Sequence, residues 1–239
     1  MSIYARSAAY YDALQRAQGK NYEAESARVH ELIQAHKRSD GNALLDVGCG
    51  TGAHLSHLRQ WYESEGLDVD RAMLIVAQER LRDVPLHLQD MIGFNLGARF
   101  DAIVCLFSSI GYAPNIRLLE QTLETFAKHL KPGGVAIIEP WVRPEQWRDG
   151  EVDARFADEP DLKVARMSVS RRDGNVSIFN FNFMVAGRDG VRTFSEAHRL
   201  MLFTDEEYRR AFQRARFELV YDADGLTGRG LYIGIRHPG

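Results

Sequence analysis

The chain has 239 residues, enough for one domain with a sizeable insertion, and its 45% hydrophobic and 26% charged residues are the proportions of a globular protein. A formal net charge of −3 leaves no electrostatic footprint for nucleic acid or an anionic membrane; the pairs Arg171/Arg172 and Arg209/Arg210 read as solvated faces. No apolar run approaches the roughly 18–20 residues that span a bilayer. The opening stretch Met1–Leu14 lacks a continuous apolar segment, so no secretory signal is expected and the cytoplasm is the default location.

Residues 5–35 have apolar positions at mixed helical spacing, interrupted by Gly19-Lys20-Asn21, which predicts two helices. After the turn cluster Ser39–Asn42 comes a short strand, Ala43–Val47, cut by Gly48-Cys49-Gly50-Thr51-Gly52 and followed by a helix from about Ala53 to Gln60. Strands are then expected at Ser64–Leu67, Leu86–Gln89, Ala102–Leu106 and Val135–Glu139, with helices at Arg71–Leu81 and Leu118–Leu130. Such alternation predicts a mostly parallel sheet covered on both faces. Lys131-Pro132-Gly133-Gly134 is expected to close the helix before the next strand.

Past residue 141 the rhythm changes. Lys163–Ser170, Val176–Val185 and Val191–Phe203 alternate, and Arg172–Asn175 and Gly187–Gly190 are hairpin turns between them. Antiparallel sheet is expected here, an inserted flap whose Phe179, Phe181 and Phe183 share one apolar face. That face is first of all core, and it either caps an acceptor pocket or pairs two subunits into a homodimer. Thr204–Glu207 starts a helix running to about Ala215, and Phe217–Tyr221 and Leu231–Ile235 are two last strands. The expected organisation is a core of residues 1–141 and 204–239, with 1–40 as a helical cap, interrupted by an antiparallel substrate or dimerisation subdomain at 142–203.

The loop Asp46–Gly52 joins a strand to a helix. Its glycines allow backbone to approach a ligand closely, but they run G-x-G-x-G rather than the G-x-G-x-x-G that seats a pyrophosphate. A carboxylate, Asp46, precedes them. An acidic loop of this kind repels a dinucleotide and suits S-adenosylmethionine (SAM), which carries an amino group and a sulfonium but no phosphate. Asp68, twenty residues beyond Gly48 at a strand end, can accept from ribose hydroxyls; the competing reading is a turn residue. Asp90-Met91 sits where such folds hold adenine, the carboxylate accepting from the exocyclic amine and the thioether covering the ring; the alternative is a helix N-cap at Asp90.

These residues, with Lys131–Val135, resemble class I SAM-dependent methyltransferases over roughly residues 40–140. Further stretches resemble the dTDP-3-amino-3,6-dideoxyhexose N,N-dimethyltransferases of macrolide amino-sugar biosynthesis, over nearly the whole chain: Gly19–Tyr22, Phe107–Tyr112, Glu139–Trp141, Ser195–Phe203 and Gly228–Leu231. The fold that the resemblance implies is Rossmann-like, with a mostly parallel seven-stranded sheet and an inserted antiparallel flap. The implied activity is SAM-dependent methylation of a small-molecule amine, the amine of a nucleotide-linked sugar. Carried over by position, Tyr11, Tyr22 and Phe107 would line the SAM pocket with Asp46, Gly48, Gly50, Asp68, Asp90 and Met91. Tyr112, His198 and Arg229 would face the acceptor, with Gln15 and Trp141 on the same side. Two departures stand out. These enzymes usually carry a tyrosine where this chain has Gln15, and they favour glutamate where it has Asp68.

Several alternatives stay open on sequence. The acceptor could instead be an antibiotic scaffold, a peptide amine or a hydroxyl, or the chain could bind SAM without catalysis. His198 and Tyr112 are both candidates to take the acceptor's proton, and an amine arriving neutral needs no base. Arg229 could meet a diphosphate or a sugar hydroxyl, or be an ordinary turn arginine. His54 and His57 lack a third ligand, so no metal is expected and both are assigned to a helix surface. Cys49 and Cys105 read as two small buried residues of a reducing compartment.

Overall fold

The computed structural model describes residues 3–237. Helix α1 (Ala8–Arg16) and helix α2 (Tyr22–His36) are separated by Gly19, at φ 75°, and by Asn21, whose side chain accepts from the Ala24 N–H and starts α2. The alternating region follows as β1 (Ala43–Val47), α3 (Ala53–Leu58), β2 (Glu63–Asp68), α4 (Arg71–Arg80), β3 (Leu86–Leu88), β4 (Phe100–Cys105), α5 (Ile116–His129) and β5 (Leu130–Ile138). A second run, β6 (Val152–Glu159), β7 (Leu162–Asp173), β8 (Val176–Gly187) and β9 (Gly190–Met201), precedes α6 (Asp205–Arg214), β10 (Phe217–Asp222) and β11 (Leu231–Arg236). The capping box expected at Thr204 is formed, with Thr204 and Glu207 satisfying each other's backbone N–H groups.

Seven strands form one sheet in the order β10-β11-β5-β4-β1-β2-β3, and β6-β7-β8-β9 form a second, antiparallel sheet. The five strands from β5 to β3 are parallel; β11 pairs antiparallel with both β5 and β10. The mostly parallel seven-stranded sheet and the antiparallel flap are therefore both present. Alternate side chains feed two apolar layers. Leu45, Val47 and Ile103 meet Phe126 of α5 and Phe212 of α6, while Leu44, Ala102 and Val104 meet Ile33 of α2 and Leu55 of α3. A third cluster joins Tyr10, Ala13 and Leu14 of α1 to Val164, Phe183 and Val185 of the antiparallel sheet. Helix α1 thus ties the flap to the end of the sheet where the glycine loop lies.

Three differences from the sequence reading have physical causes. The antiparallel sheet has a fourth strand, β6, which forms an edge; here the apolar Val152 and Phe156 are exposed while Asp153 and Arg155 face a cavity on the inner side, the reverse of the apolar-inside pattern of its neighbours. Lys131–Gly134 lies within β5 rather than outside it, across a register irregularity between Phe100 and Ala102. Ser109–Tyr112 forms a single 3-10 turn after β4. Among the described residues no helix is long and apolar enough to cross a membrane.

The buried Asp101 carboxylate fixes where β1 and β5 begin. It accepts from Gly41 N–H (3.1 Å) and Ala43 N–H (3.0 Å) and pairs with Lys131 at 2.7 Å. Asp101→Asn removes the ion pair and, since Gly41 and Ala43 donate to different oxygens, aims an amide donor at one of the two backbone donors. Urea unfolding should register a loss of about 1–3 kcal/mol; unchanged stability would show that these bonds are replaceable.

Candidate active site

The strand order reverses between β1 and β4, and the crevice at the carboxyl ends of strands around such a reversal is where open α/β sheets bind ligands. The loop after β1 folds over β2: Leu67 O accepts from Gly48 N–H (2.7 Å) and Cys49 N–H (3.0 Å), and Asp68 Oδ2 accepts from Gly50 N–H (2.8 Å). Gly48, at φ 72°, leaves no room for a Cβ, which would lie 2.7 Å from Ser109 Cβ. Gly50 differs. At φ 56° nothing stands within 4 Å of where its Cβ would be, so the backbone there faces open space that a ligand can fill.

That space is a cavity of about 460 Å³. It is lined by Asp46, Gly48 and Gly50 of the loop, by Asp68, Asp90 and Met91 at the ends of β2 and β3, and by Tyr22 of α2. Asp68 is already engaged on both oxygens, Oδ1 accepting from Asp70 N–H at 2.8 Å, and burial raises its pKa. Asp46 is almost fully buried; burial, with the Asp68 charge adding to it, pushes its pKa up to about 7. Asp90 is not the N-cap of a helix. Its Oδ1 accepts from Ile92 N–H at 2.9 Å in a turn, though no helix follows, and it lines the cavity from a solvent-exposed position. A carboxylate-lined cavity of this kind, reached by glycine-loop backbone, fits a cationic nucleoside better than a phosphate.

A second cavity, of about 330 Å³, lies between this crevice and the antiparallel sheet. Gln15, Tyr112, Trp141, His198 and Arg229 all line it, and so do Phe179, Phe181 and Phe183, whose apolar face turns inward. Tyr4, Tyr11, Phe107 and Tyr112 border both cavities and form a septum between them. Tyr4 went unnoticed in the sequence, where it stands in an unpatterned segment before α1. In the structure the segment is pinned: Tyr4 N–H donates to Asp70 Oδ2 at 2.8 Å, and Arg6 and Ser7 N–H groups donate to Glu196 Oε1.

The Tyr4 and Tyr112 hydroxyls lie 2.8 Å apart, and Tyr112 Oη lies 2.7 Å from His198 Nδ1. Burial pushes both phenol pKa values up. Burial, with the neighbouring Arg166 charge, lowers His198 to about 4. With the phenols protonated and the imidazole neutral, the chain is satisfied when Tyr4 donates to Tyr112 and Tyr112 donates to His198 Nδ1. A lone pair of the Tyr112 oxygen is then left over.

Of the readings open for Arg229, that of an ordinary exposed turn arginine does not hold. Its Nη1 donates to Ser108 Oγ at 2.8 Å, and its guanidinium stands 5.2 Å from the Trp141 ring centre and 3.8 Å from Glu139. Phe107 and Ser108 carry φ values of 49° and 65°, left-handed backbone that costs about 1–3 kcal/mol per residue and persists only where the surroundings enforce it. On the antiparallel sheet, Arg155 Nε (2.9 Å) and Arg166 Nη2 (3.1 Å) share Asp153 Oδ2; Arg166 is buried and its Nε has no hydrogen-bond partner. Both arginines line the second cavity.

The histidine assignment needs correcting. His54 is buried rather than on a helix surface, and its Nε2 lies 2.7 Å from Glu25 Oε2 because α2 packs over α3 at that point; His57 is half-buried. Among the described residues no group of three His, Cys, Asp or Glu side chains is placed to hold a metal ion. Cys49 and Cys105 are both free and buried.

Fold and site together define a SAM-dependent methyltransferase, and residues 44–134 match the family described as a methyltransferase domain. The chain belongs to the sugar N,N-dimethyltransferases of that class. It is 40% identical over 227 residues to dTDP-3-amino-3,4,6-trideoxy-alpha-D-glucopyranose N,N-dimethyltransferase of Streptomyces venezuelae, covering 94% of this chain and 95% of that one. It is 38% identical to dTDP-4-amino-2,3,4,6-tetradeoxy-D-glucose N,N-dimethyltransferase of Saccharopolyspora spinosa, covering 95% and 91%. The SAM-bound structure of CalS10, an amino pentose methyltransferase of Micromonospora echinaspora involved in calicheamicin biosynthesis, superposes with a TM-score of 0.85 at 41% identity, covering 95% and 96%. SAM is the cofactor of this enzyme.

Asp46 imposes a testable pH dependence on the ligand-free protein. Its folded pKa of about 7 lies above the 3.8 of a free aspartate, so the folded state holds a proton that the unfolded chain has lost. That stability is fully present below pH 3.8 and disappears as pH rises through 7. Between pH 4 and 8, Asp46→Asn should therefore gain about 2–4 kcal/mol relative to the wild type in urea unfolding. Parallel pH profiles for the two proteins would refute the assignment.

Proposed function

We propose that the enzyme methylates the amine of a nucleotide-linked amino sugar. The observation that carries this reading is the pair of cavities meeting at the aromatic septum, one lined with carboxylates and the other with arginines. In this reading Asp68 serves the ribose, Asp90 and Met91 the adenine, and the acidic loop the amino group of the cofactor. Tyr11, Tyr22 and Phe107 enclose the reacting end. When bound, SAM supplies an electrophilic methyl on a sulfonium, which an amine nitrogen takes by in-line displacement, with release of S-adenosylhomocysteine and one proton per transfer.

The chain's own contribution is placement. Correct alignment of the reacting atoms can account for roughly 7–11 kcal/mol of barrier reduction, and four rings around the septum restrict where an amine can stand. The spare lone pair of Tyr112 can accept an amine N–H and so aim the nitrogen. His198, protonated only below about pH 4, is a poor proton acceptor at neutral pH, which favours an amine that arrives neutral and a positioning role for His198 through Tyr112. Gln15 and Trp141 shape the sugar end. Arg229 is largely committed to Ser108, so Arg155 and Arg166, sharing a single carboxylate, are better placed for a diphosphate. The relatives carry their amines at the sugar's 3- or 4-position, and both suit a septum that sees only the amine.

We read residues 142–203 as the subdomain that covers the acceptor, on a core of 1–141 and 204–239; residues 1–2 and 238–239 lie outside the described residues. Pairing of two subunits would use the outer face of the same sheet, where Phe156, Met167, Met184 and Val191 are exposed, rather than the inward phenylalanines. Free buried cysteines suit a reducing cytoplasm. The involvement of the Micromonospora relative in calicheamicin biosynthesis supports antibiotic tailoring.

Incubation with SAM and a panel of dTDP-linked 3- and 4-amino sugars should yield S-adenosylhomocysteine and mono- then dimethylated product. Absence of product from the whole panel would remove the acceptor assignment. Asp68→Ala should weaken SAM binding by about 1–2 kcal/mol in calorimetry, and unchanged affinity in a folded variant would count against the ribose role. Tyr112→Phe should lower turnover with little effect on SAM affinity; an unaltered rate would take Tyr112 out of the site.

A further inference from the structure

Phe107 occupies the most consequential place in the septum, yet nothing in its own sequence holds it there. Its backbone is left-handed, as is that of Ser108, a conformation that a phenylalanine rarely adopts. Two charged side chains, neither lining either cavity, hold it from behind. Glu139, fully buried at the end of β5, accepts from Phe107 N–H through Oε2 at 2.6 Å and from Thr227 Oγ1 through Oε1 at 2.6 Å. Lys20, in the link between α1 and α2, places its ammonium 3.7 Å from the centre of the Phe107 ring. The Lys20 side chain is only 6% exposed and pairs with Glu25 at 2.7 Å; Glu25 is in turn bonded to His54.

A buried ammonium at this distance from a ring centre is a strong cation–π contact, because little water competes for the charge. We propose that Lys20 and Glu139 are positioning residues for methyl transfer: Glu139 fixes the Phe107 backbone and Lys20 fixes its ring, so that the septum keeps its shape through both methylations. The pairing has a second consequence. One face of the ring is taken by Lys20, and the Arg229 guanidinium stands 5.8 Å from the ring centre, so Phe107 acts as a wall held by charges. Lys20 is supplied by the link into α2 and Glu139 by β5, so the septum is braced across the fold rather than within its own loop. The inference rests on methyl transfer occurring at this septum.

The test combines kinetics with a probe of the ring itself. Lys20→Met keeps the aliphatic stem and removes the charge. It should lower kcat about 10–100-fold while KM for the acceptor and the SAM dissociation constant stay within about threefold. Lys20→Arg, which restores a cation over the ring, should recover most of the rate. In a Phe107→Leu background, Lys20→Met should cost little more, since its target is gone. In protein carrying 4-fluorophenylalanine at position 107, Lys20→Met should shift or split the fluorine resonance without any acceptor present. A barren substrate panel with the wild type would thus sink the acceptor assignment, while the fluorine signal still decides the bracing role. An unchanged fluorine signal, an unchanged kcat, or losses that multiply in the double variant would overturn the proposal. Should Lys20→Met fail to fold, Glu139→Gln carries the same comparison: a shifted resonance with reduced kcat supports the brace, and an unmoved one refutes it.

Discussion

Parallel pairing holds the carboxyl ends of β1, β2 and β4 level, with Val47 opposite Leu67 and Asp46 opposite both Gly66 and Val104. Loops leaving three strands at one height must share one crevice, and carboxylates on those loops are forced close together. Asp46 is buried and Asp68 half-buried there, and desolvation acts on both to favour the protonated form. The crevice therefore holds carboxylates whose charged forms call for a cationic partner, and the same loop, whose third glycine Gly52 comes one residue too early for the pyrophosphate-seating pattern, does not suit a phosphate.

The second half of the site depends on a different kind of constraint. The antiparallel sheet belongs to a separate stretch of chain, and it reaches the crevice through α1, packed on Phe183 and Val185, and through Glu196, which accepts from the backbone of residues 6 and 7. The segment that carries Tyr4 and Tyr11 is thus tied to both sheets at once, and those two tyrosines stand in the septum. Strain at Phe107 and Ser108 fits the same design. A left-handed pair of residues is tolerated because Glu139, Pro140, Arg229 and Lys20 converge on it. The result is a partition built from five separate parts of the chain: residues 4–11, Lys20, residues 107–112, Glu139 with Pro140, and Arg229.

Much of this was legible in the residues. β1 could be placed at Ala43–Val47 because a short apolar run ends in glycines, and the Phe179–Phe183 alternation revealed a strand with an apolar face. What stayed hidden has a common cause: it depends on partners distant in sequence. Tyr4 has no periodic context and acquires its place through Asp70, Tyr112 and the rings of Tyr11 and His198. His54 resembles a surface residue on a short helix until α2 folds Glu25 over it. Glu139 ends a strand in a recognisable motif, but its bond to Phe107 spans 32 residues. β6 is an edge strand whose charged Asp153 and Arg155 face the cavity and whose apolar Val152 and Phe156 face solvent, which inverts the pattern by which strands are read.

A crystal structure with S-adenosylhomocysteine and a dTDP-linked amino sugar bound together would test the two-cavity arrangement most directly. The predicted result places the nucleoside against Asp68 and Asp90, the sugar's amine at the ring of Tyr4, Tyr11, Phe107 and Tyr112, and the diphosphate toward Arg155 and Arg166. An amine bound away from that ring, or the adenosine of S-adenosylhomocysteine occupying the arginine-lined side, would contradict it.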